Sequence, residues 1–231
     1  MTNTTPKPGA LYIVSTPIGN PDDLSPRAWR ILSEADWVVC EEMREGSRLL
    51  KRLKLEKLLV DLNEHNEKAR TLELVKELQQ GKSLALISDA GTPLFHDPGH
   101  LLVDAAYRIG AKVVVAPGAS SLMAALVVSG LPINQFHFMG MLPAKHEARR
   151  KALKALLREP LTAVMLDAPY RLHAVLEDMF VVLGKERHIV VACDLTMPTE
   201  QVVRGSLGQI FEHFRLRPFK GEYVILVAGV K

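Results

Sequence analysis

The feature that most constrains the fold is a regular alternation along the chain. Short apolar runs of strand length are followed by loops rich in glycine and proline, and then by amphipathic segments with helix-capping residues. In the first half, the predicted strands are residues 11–14, 37–40, 84–87 and 112–116. Predicted helices follow the Ser25-Pro26 and Asp97-Pro98 pairs, which resemble helix caps, and a third covers residues 66–80. This alternation predicts an α/β fold with a largely parallel sheet covered by helices.

The same alternation continues through the second half. Predicted strands cover residues 136–139, 161–166, 188–193 and 223–228, and predicted helices cover residues 147–157, 170–183 and 207–214. We place a domain boundary near Pro117 and Gly118, which gives an N-terminal α/β domain at residues 1–117 and a C-terminal α/β domain at residues 118–231. No flexible linker marks this boundary, so one large sheet is the alternative.

Size and composition argue against a metal-dependent, disulfide-dependent or membrane-spanning protein. A chain of 231 residues can bury a proper core without disulfides or metals. Its two cysteines stand beside apolar runs and its eight histidines are scattered, so we predict no metal site and a reducing, cytoplasmic environment. The chain has no apolar stretch of the roughly 20 residues that cross a bilayer and no signal-like start, so we expect no membrane contact.

Four loops that follow predicted strands carry the polar groups of interest. They are STPIGN at 15–20, CEEMR at 40–44, SDAGTP at 88–93 and PGASS at 117–121. In open parallel sheets, ligands bind beyond the carboxyl ends of the strands. Asp89 and Thr92 offer an acceptor and a hydroxyl, while Ser120 and Ser121 stand at a predicted helix start, where free N–H groups suit an anion. The set suits a zwitterionic nucleoside. The alternative is that these are ordinary turns and a helix cap.

A basic stripe lies between residues 145 and 158. Glu147 is its single acidic residue, against Lys145, His146, Arg149, Arg150, Lys151, Lys154 and Arg158. If a helix begins near Lys145, the spacing of four places Lys145 and Arg149 on one side, where they would suit phosphate groups. The alternative is a solvated, lysine-rich helix face.

Five motifs, in order over nearly the whole chain, resemble one known family. They are STPIGN, SDAGTPLFHDPG, PGASS, FMGMLPAK at 138–145 and KGEYVILV at 220–227. These motifs resemble the ribosomal small-subunit RNA ribose 2′-O-methyltransferases of the tetrapyrrole-methylase-like (class III) superfamily. The resemblance implies a two-domain tetrapyrrole-methylase-like α/β fold, with S-adenosylmethionine in the cleft between the domains. It also implies a homodimer, an EC 2.1.1 activity, and ribosomal RNA or the small ribosomal subunit as partner.

The resemblance assigns roles by position. The cofactor contacts that it implies are Pro17, Gly19, Asp89, Ala90, Gly91, Thr92, Ser120, Ser121, Leu166, Gly221 and Tyr223. The substrate contacts that it implies are Lys145, Arg149, Arg150 and Arg171.

This chain departs from the family at three substrate loops. Met43 replaces a threonine before Arg44, and Leu166-Asp167-Ala168 replaces a tyrosine-glutamate-serine stretch. Residues 193–197, CDLTM, replace an arginine-glutamate-leucine-threonine-lysine stretch and lose both basic residues, with Glu200 nearby. The cofactor loops match the family better than the substrate loops do.

Methyl transfer to a hydroxyl requires alignment of the reactants and removal of one proton. Glu42 is the first candidate for the base and Glu41 the second, because a carboxylate at the end of a strand gains basicity when it is desolvated. Arg44 would hold a phosphate or the glutamate pair. The alternative for Glu41, Glu42 and Arg44 is a surface ion-pair cluster.

The sequence is therefore compatible with three candidate functions. The leading one is S-adenosylmethionine-dependent 2′-O-methylation of small-subunit ribosomal RNA. The second is methylation of a small molecule of the tetrapyrrole type. The third is a non-catalytic relative that binds cofactor or RNA, which the altered substrate loops suggest.

Overall fold

The computed structural model describes residues 7–95 and 97–230. The chain forms two compact units, of which the first ends at Ser120 and the second begins at Ser121. Each unit has a five-stranded sheet of its own, so the alternative of one large sheet is wrong. The domain bounds at residues 117 and 118 stay a prediction.

The sheet of the first unit is entirely parallel. Its strands stand in the order β3-β2-β4-β1-β5. They are β1 (Ala10–Val14), β2 (Trp37–Cys40), β3 (Leu58–Asp61), β4 (Leu84–Ile87) and β5 (Lys112–Ala116). The predictions for β2, β4 and β5 are confirmed to the residue, because buried parallel strands consist of continuous apolar runs.

Four helices cover this sheet, two on each face. They are α1 (Pro26–Glu34), α2 (Met43–Leu53), α3 (Glu67–Gln79) and α4 (His100–Arg108). Strand side chains alternate between the faces: Val38 packs in the core formed with α1 and α2, and Val39 packs in the core formed with α3 and α4. Ser25 caps α1 as predicted, since its Oγ accepts a hydrogen bond from the backbone N–H of Ala28 at 3.1 Å.

The predicted cap of α4 is wrong. The helix begins at His100 after Gly99, whose φ of +127° favours glycine, and not after the Asp97-Pro98 pair. Glu67 of helix α3 supplies the acceptor for two N–H groups at the start of α4. Its Oε1 accepts hydrogen bonds from the N–H of Gly99 at 2.7 Å and from the N–H of Leu101 at 3.3 Å. A cap supplied 32 residues away leaves no local sequence signal.

The second unit has a mixed sheet in the order β6-β7-β10-β8-β9. Only β6 and β7 pair in parallel, and the other three pairs are antiparallel. Its strands are β6 (Phe136–Met141), β7 (Thr162–Leu166), β8 (His188–Cys193), β9 (Gln201–Ser206) and β10 (Tyr223–Val227). Its helices are α5 (Ser121–Ser129), α6 (His146–Leu153), α7 (Leu172–Leu183) and α8 (Leu207–Leu216).

The largely parallel sheet predicted for the whole chain is therefore wrong for this unit. Strand β9 was missed because QVVRGS is a half-exposed edge strand with polar residues, and it follows β8 without an intervening helix. Helix α2 and edge strand β3 were missed for the same reason, since both are polar or partly exposed. None of the helices described here has both the length and the apolar character needed to cross a bilayer.

Candidate functional site

The loops after β1, β4 and β5 are joined at the carboxyl edge of the first sheet. The N–H of Thr16 donates to the carbonyl of Gly91 at 2.8 Å, and the N–H of Gly91 donates to the carbonyl of Thr16 at 3.2 Å. The hydroxyls of Ser15 and Thr92 lie 2.9 Å apart, and Thr92 Oγ1 donates to the carbonyl of Ala119 at 3.2 Å. The first sheet therefore brings together three of the four loops that the sequence singled out.

Glycines allow these loops to pack this closely. Gly91 has a φ of +85°, and a Cβ there would lie 3.1 Å from Ile18 Cγ2. A Cβ on Gly118 would lie 3.0 Å from the Cβ of Ser15. A Cβ at either position would therefore require the neighbouring side chain to shift.

The remaining predicted cofactor residues of this unit lie in the same loops. Asp89 and Ala90 are exposed, while Pro17, Gly19 and Ser120 are partly buried. The carboxylate of Asp89 also reaches the fourth loop, because its Oδ1 lies 3.4 Å from the backbone N of Glu42, which donates to it. Partial burial raises the pKa of Asp89, and the nearby Asp97 adds to the rise.

Carboxylates surround the end of β2. Glu41, the first residue after the strand, is half-buried, and its pKa is raised to about 7 by burial and then by Asp97, Asp89 and Glu42. Asp97 Oδ2 is buried and has no hydrogen-bond partner among the described residues. Glu42 is exposed and is the N-cap residue of α2, and Arg44 is exposed in the first turn of that helix. Negative charge is thus concentrated where a cationic ligand would be stabilised.

Cys40 ends β2 directly behind these carboxylates and is fully buried. Burial, followed by the charge of Asp89, raises the pKa of its thiol to about 12. Cys193, at the end of β8, is also fully buried, with a pKa raised to about 12 by burial and then by Asp194. In the part of the chain that the structure describes, no three His, Cys, Asp or Glu side chains are grouped to hold a metal ion.

In the second unit, two arginines clamp the turn at residues 142–144. Arg149 Nη1 donates to the carbonyl of Ala144 at 2.9 Å, and Arg171 Nη2 donates to the carbonyls of Pro143 at 2.8 Å and Leu142 at 3.1 Å. Arg149 is buried and Arg171 has a side chain that is 13% exposed. Of the three predicted substrate arginines, Arg149 and Arg171 are therefore hydrogen-bonded to this turn inside the fold.

Each clamping arginine has a buried carboxylate as its counterion. Asp178 is fully buried, and it accepts from Arg149 Nε at 2.7 Å and from Arg150 Nε at 2.6 Å, with His146 Nδ1 at 2.7 Å. Asp167 Oδ1 lies 3.1 Å from Arg171 Nη1. The sequence analysis missed Asp178, and the signal for it was one acidic residue on the apolar face of a helix.

Lys145 precedes α6 as its N-cap residue and is exposed, while Arg150 is partly exposed. Lys145 lies outside α6 and is exposed, whereas Arg149 within the helix is buried. The expected common side for Lys145 and Arg149 is therefore wrong.

Three of the remaining predicted residues, Leu166, Gly221 and Tyr223, lie at the adjacent ends of β7 and β10, where Leu166 pairs with Val224. Tyr223 and Asp167 are both buried, and Tyr223 Oη and Asp167 Oδ2 have no hydrogen-bond partner among residues 7–95 and 97–230. A Cβ on Gly221 would collide with Asp194 Oδ1. Ser121 is the first residue of α5.

The chain is similar to a known protein family and to named bacterial proteins. The model of the family described as Tetrapyrrole (Corrin/Porphyrin) Methylases matches residues 10–210. The chain is 46% identical over 226 residues to a protein of Xylella fastidiosa strain Temecula1 named Ribosomal RNA small subunit methyltransferase I, covering 96% of this chain and 82% of that one. A protein of the same name from Micromonospora olivasterospora is 41% identical over 222 residues, covering 96% of this chain and 71% of that one.

A solved structure has the same fold. Uroporphyrin-III C-methyl transferase from Thermus thermophilus, complexed with S-adenyl homocysteine, aligns with a TM-score of 0.65 at 20% identity, covering 95% of this chain and 97% of that one. The two-domain α/β fold predicted from the motifs is confirmed by this likeness.

Proposed function

We propose that a ribose 2′-hydroxyl of small-subunit ribosomal RNA is the methyl acceptor of this chain, which belongs to the tetrapyrrole methylase family and is an S-adenosylmethionine-dependent methyltransferase. One observation carries the proposal of an RNA acceptor. Relatives that match 96% of the chain at 41% and 46% identity share the name Ribosomal RNA small subunit methyltransferase I. The ribose oxygen as the target follows from the resemblance of the five motifs.

The first unit fits the cofactor. When bound, S-adenosylmethionine supplies an electrophilic methyl group on a positively charged sulfonium. The carboxylates near Glu41 and Asp89 suit a ligand with positive charge, and the glycines at positions 91 and 118 let the three loops pack closely together at this edge of the sheet. We propose that the residues of this unit that hold the cofactor are Pro17, Gly19, Asp89, Ala90, Gly91, Thr92 and Ser120.

For the second unit, we propose Ser121, Leu166, Gly221 and Tyr223 as cofactor contacts, as the resemblance implies. The unpartnered Tyr223 Oη and Asp167 Oδ2 support this proposal, because buried polar atoms without partners are rare in folded proteins. A bound polar ligand would satisfy them.

We propose Glu41 as the general base, ahead of Glu42. A base that works near neutral pH needs a pKa near 7, and burial raises the pKa of half-buried Glu41 to about 7. Glu41 would take the hydroxyl proton of the acceptor, a role that contributes about 10²- to 10⁴-fold in rate in enzymes. Arg44, exposed one turn further, would bind an adjacent phosphate.

For the acceptor, we propose that Lys145 and Arg150 make phosphate contacts. Arg149 and Arg171 would act by fixing the turn at residues 142–144 that precedes Lys145. We also propose a homodimer, which the resemblance implies, and a cytoplasmic location, which follows from the two unpaired cysteines.

The two other candidate functions receive less support. A tetrapyrrole acceptor rests on the description of the family model and on structural likeness near 20% identity, whereas the relatives above 40% identity are named for ribosomal RNA. A non-catalytic role rests on the altered substrate loops alone.

The testing experiment is transfer of a labelled methyl group from S-adenosylmethionine to small ribosomal subunits from cells that lack this protein. Nuclease mapping then locates the label. We expect label on one ribose, with a rate that rises with pH around 7. Glu41→Gln should lower the rate of methyl transfer at least 100-fold and abolish its rise with pH. Glu42→Gln is the matched control and should keep both the rate and its pH dependence. Label on a base, or no label at all, would overturn the proposed acceptor.

A further inference from the structure

The two faces of the first sheet differ in the charge of their helices. Helices α1 and α2, with the connection to β3 at residues 54–57, carry eight basic residues against three glutamates: Arg27, Arg30, Arg44, Arg48, Lys51, Arg52, Lys54 and Lys57 against Glu34, Glu45 and Glu56. Helices α3 and α4 on the other face carry four Lys or Arg and four Asp or Glu. The positive charge of this unit is therefore concentrated on one side.

On α2, the basic residues form a row along the solvent side. Arg44, Arg48 and Lys51 follow one another at spacings of four and three, so they share one helix face, and all three are exposed. The opposite side of α2 packs Leu50 and Gly46 into the core. Arg48 is the one member of the row that pairs with an acid within the described residues, at 2.7 Å from Glu45.

The row connects the candidate catalytic loop to a cavity. Helix α2 starts beside Glu42 at the carboxyl edge of the sheet and, at about 1.5 Å per residue, extends about 16 Å toward the opposite edge. At its far end is an open cavity of about 550 Å³, lined by three lysines and one acid, Glu56. The lysines are Lys51, Lys54 and Lys57. Leu50, Leu55 and Leu59 form the apolar part of its wall.

Hydrogen bonds fix the backbone of Lys54 and the side chain of Lys57. Lys54 ends the helix in the left-handed conformation, with a φ of +57°, and its N–H donates to the carbonyls of Leu50 and Lys51. Lys57 Nζ donates to the carbonyl of Ala35 at 2.9 Å. The cavity is thus a concave, positively charged surface on a structured helix end.

We propose that the outer face of α2 and this lysine-lined cavity bind the phosphate backbone of the RNA that flanks the acceptor nucleotide. This inference rests on the proposed function, because RNA is the acceptor there. An RNA strand that leaves the carboxyl edge near Arg44 would meet positive charge along the whole helix. Phosphate binding of this kind requires no sequence recognition, so the surface would set affinity and register while the loops select the acceptor.

The test is RNA binding by the full chain as a function of salt. The Lys51→Gln, Lys54→Asn double variant removes two charges from the cavity, and asparagine tolerates the left-handed conformation at position 54. Each phosphate contact on a single strand contributes about 0.7 to the slope of log affinity against log salt. The double variant should therefore lose about 1.4 in slope and about 25-fold in affinity at 0.1 M salt.

The matched control is Lys68→Gln, Lys76→Gln, which removes two exposed lysines from α3 on the opposite face of the same sheet. It should retain both the slope and the affinity. Binding of S-adenosylhomocysteine, measured by calorimetry, should be unchanged in both variants, which shows that the fold is intact.

The outcomes separate this inference from the proposed function. Binding does not depend on methyl transfer, so a variant that loses RNA affinity supports the surface even if no ribose is labelled. If the parent protein labels ribose and the double variant binds RNA as the control does, the inference is overturned and the proposed function stands. If the double variant loses binding to intact ribosomal subunits but still binds naked RNA, the surface contacts a ribosomal protein. That result would overturn the inference that the surface binds RNA phosphates. A parent protein that binds no RNA overturns both.

Discussion

Replacing Asp178 by alanine should destabilise the second unit strongly. Asp178 is fully buried and is the counterion of Arg149, whose side chain is 5% exposed. Removal of one partner leaves a charge in the core, which costs about 3–5 kcal/mol in comparable pairs. Arg149 retains the carbonyl of Ala144 as an acceptor, so we expect a value near the lower end, about 3 kcal/mol.

Two further variants separate the buried charge from simple loss of contacts. Arg150 also binds Asp178, but its side chain is 33% exposed, so Arg150→Ala should cost about 1 kcal/mol or less. The Arg149→Met, Asp178→Leu double variant removes both charges and should cost less than Asp178→Ala alone. Urea unfolding followed by circular dichroism gives these free energies. Hydrogen exchange across residues 142–153 should show where protection is lost.

Two results would show that no buried charge is left in the core. One is a loss for Asp178→Ala no larger than that for Arg150→Ala. The other is a double variant whose cost equals the sum of its two single changes, because then no buried charge is relieved.

Three other changes follow from the first unit. Glu41→Gln should raise the melting temperature more at pH 8 than at pH 5: a pKa raised to about 7 stabilises the fold below the ordinary pKa near 4.5, and this stability is lost as pH rises through 7. An equal change at both pH values would contradict this. Gly91→Val should weaken S-adenosylhomocysteine binding at least tenfold by calorimetry, whereas Gly110→Val, with a similar φ of +73° but open space around it, should not. Equal affinities would remove Gly91 from the site. Glu67→Ala should cost about 1 kcal/mol in thermal unfolding through loss of the α4 cap, and Glu67→Gln should restore part of it. A cost equal to that of the exposed Glu64→Ala would rule out the cap.

The sequence predicted the first unit better than the second. Strands β2, β4 and β5 are buried on both faces, and such strands are continuous apolar runs with clear ends. The direction of a strand leaves no comparable signal, which is why the antiparallel pairs around β8 and β10 were predicted as parallel. Polar edge elements such as α2 and β9 have too few apolar positions to stand out.

The candidate site shows the same division. The loop motifs predicted which residues gather at the edge of the first sheet, because glycines and prolines report backbone shape directly. They did not predict that Arg149 and Arg171 are hydrogen-bonded within the fold. That depends on Asp178 and Asp167, partners 29 and four residues away whose burial appears only in three dimensions.

The two buried cysteines have a practical consequence for spectroscopy. Thiols whose pKa is raised to about 12 are almost entirely protonated at neutral pH, and both are shielded from solvent, so they should react slowly with maleimides. Native cysteines therefore need no removal before labelling. A Lys68→Cys, Lys185→Cys variant would carry one fluorophore in each unit, and energy transfer between them would report whether the units change their separation when S-adenosylhomocysteine binds.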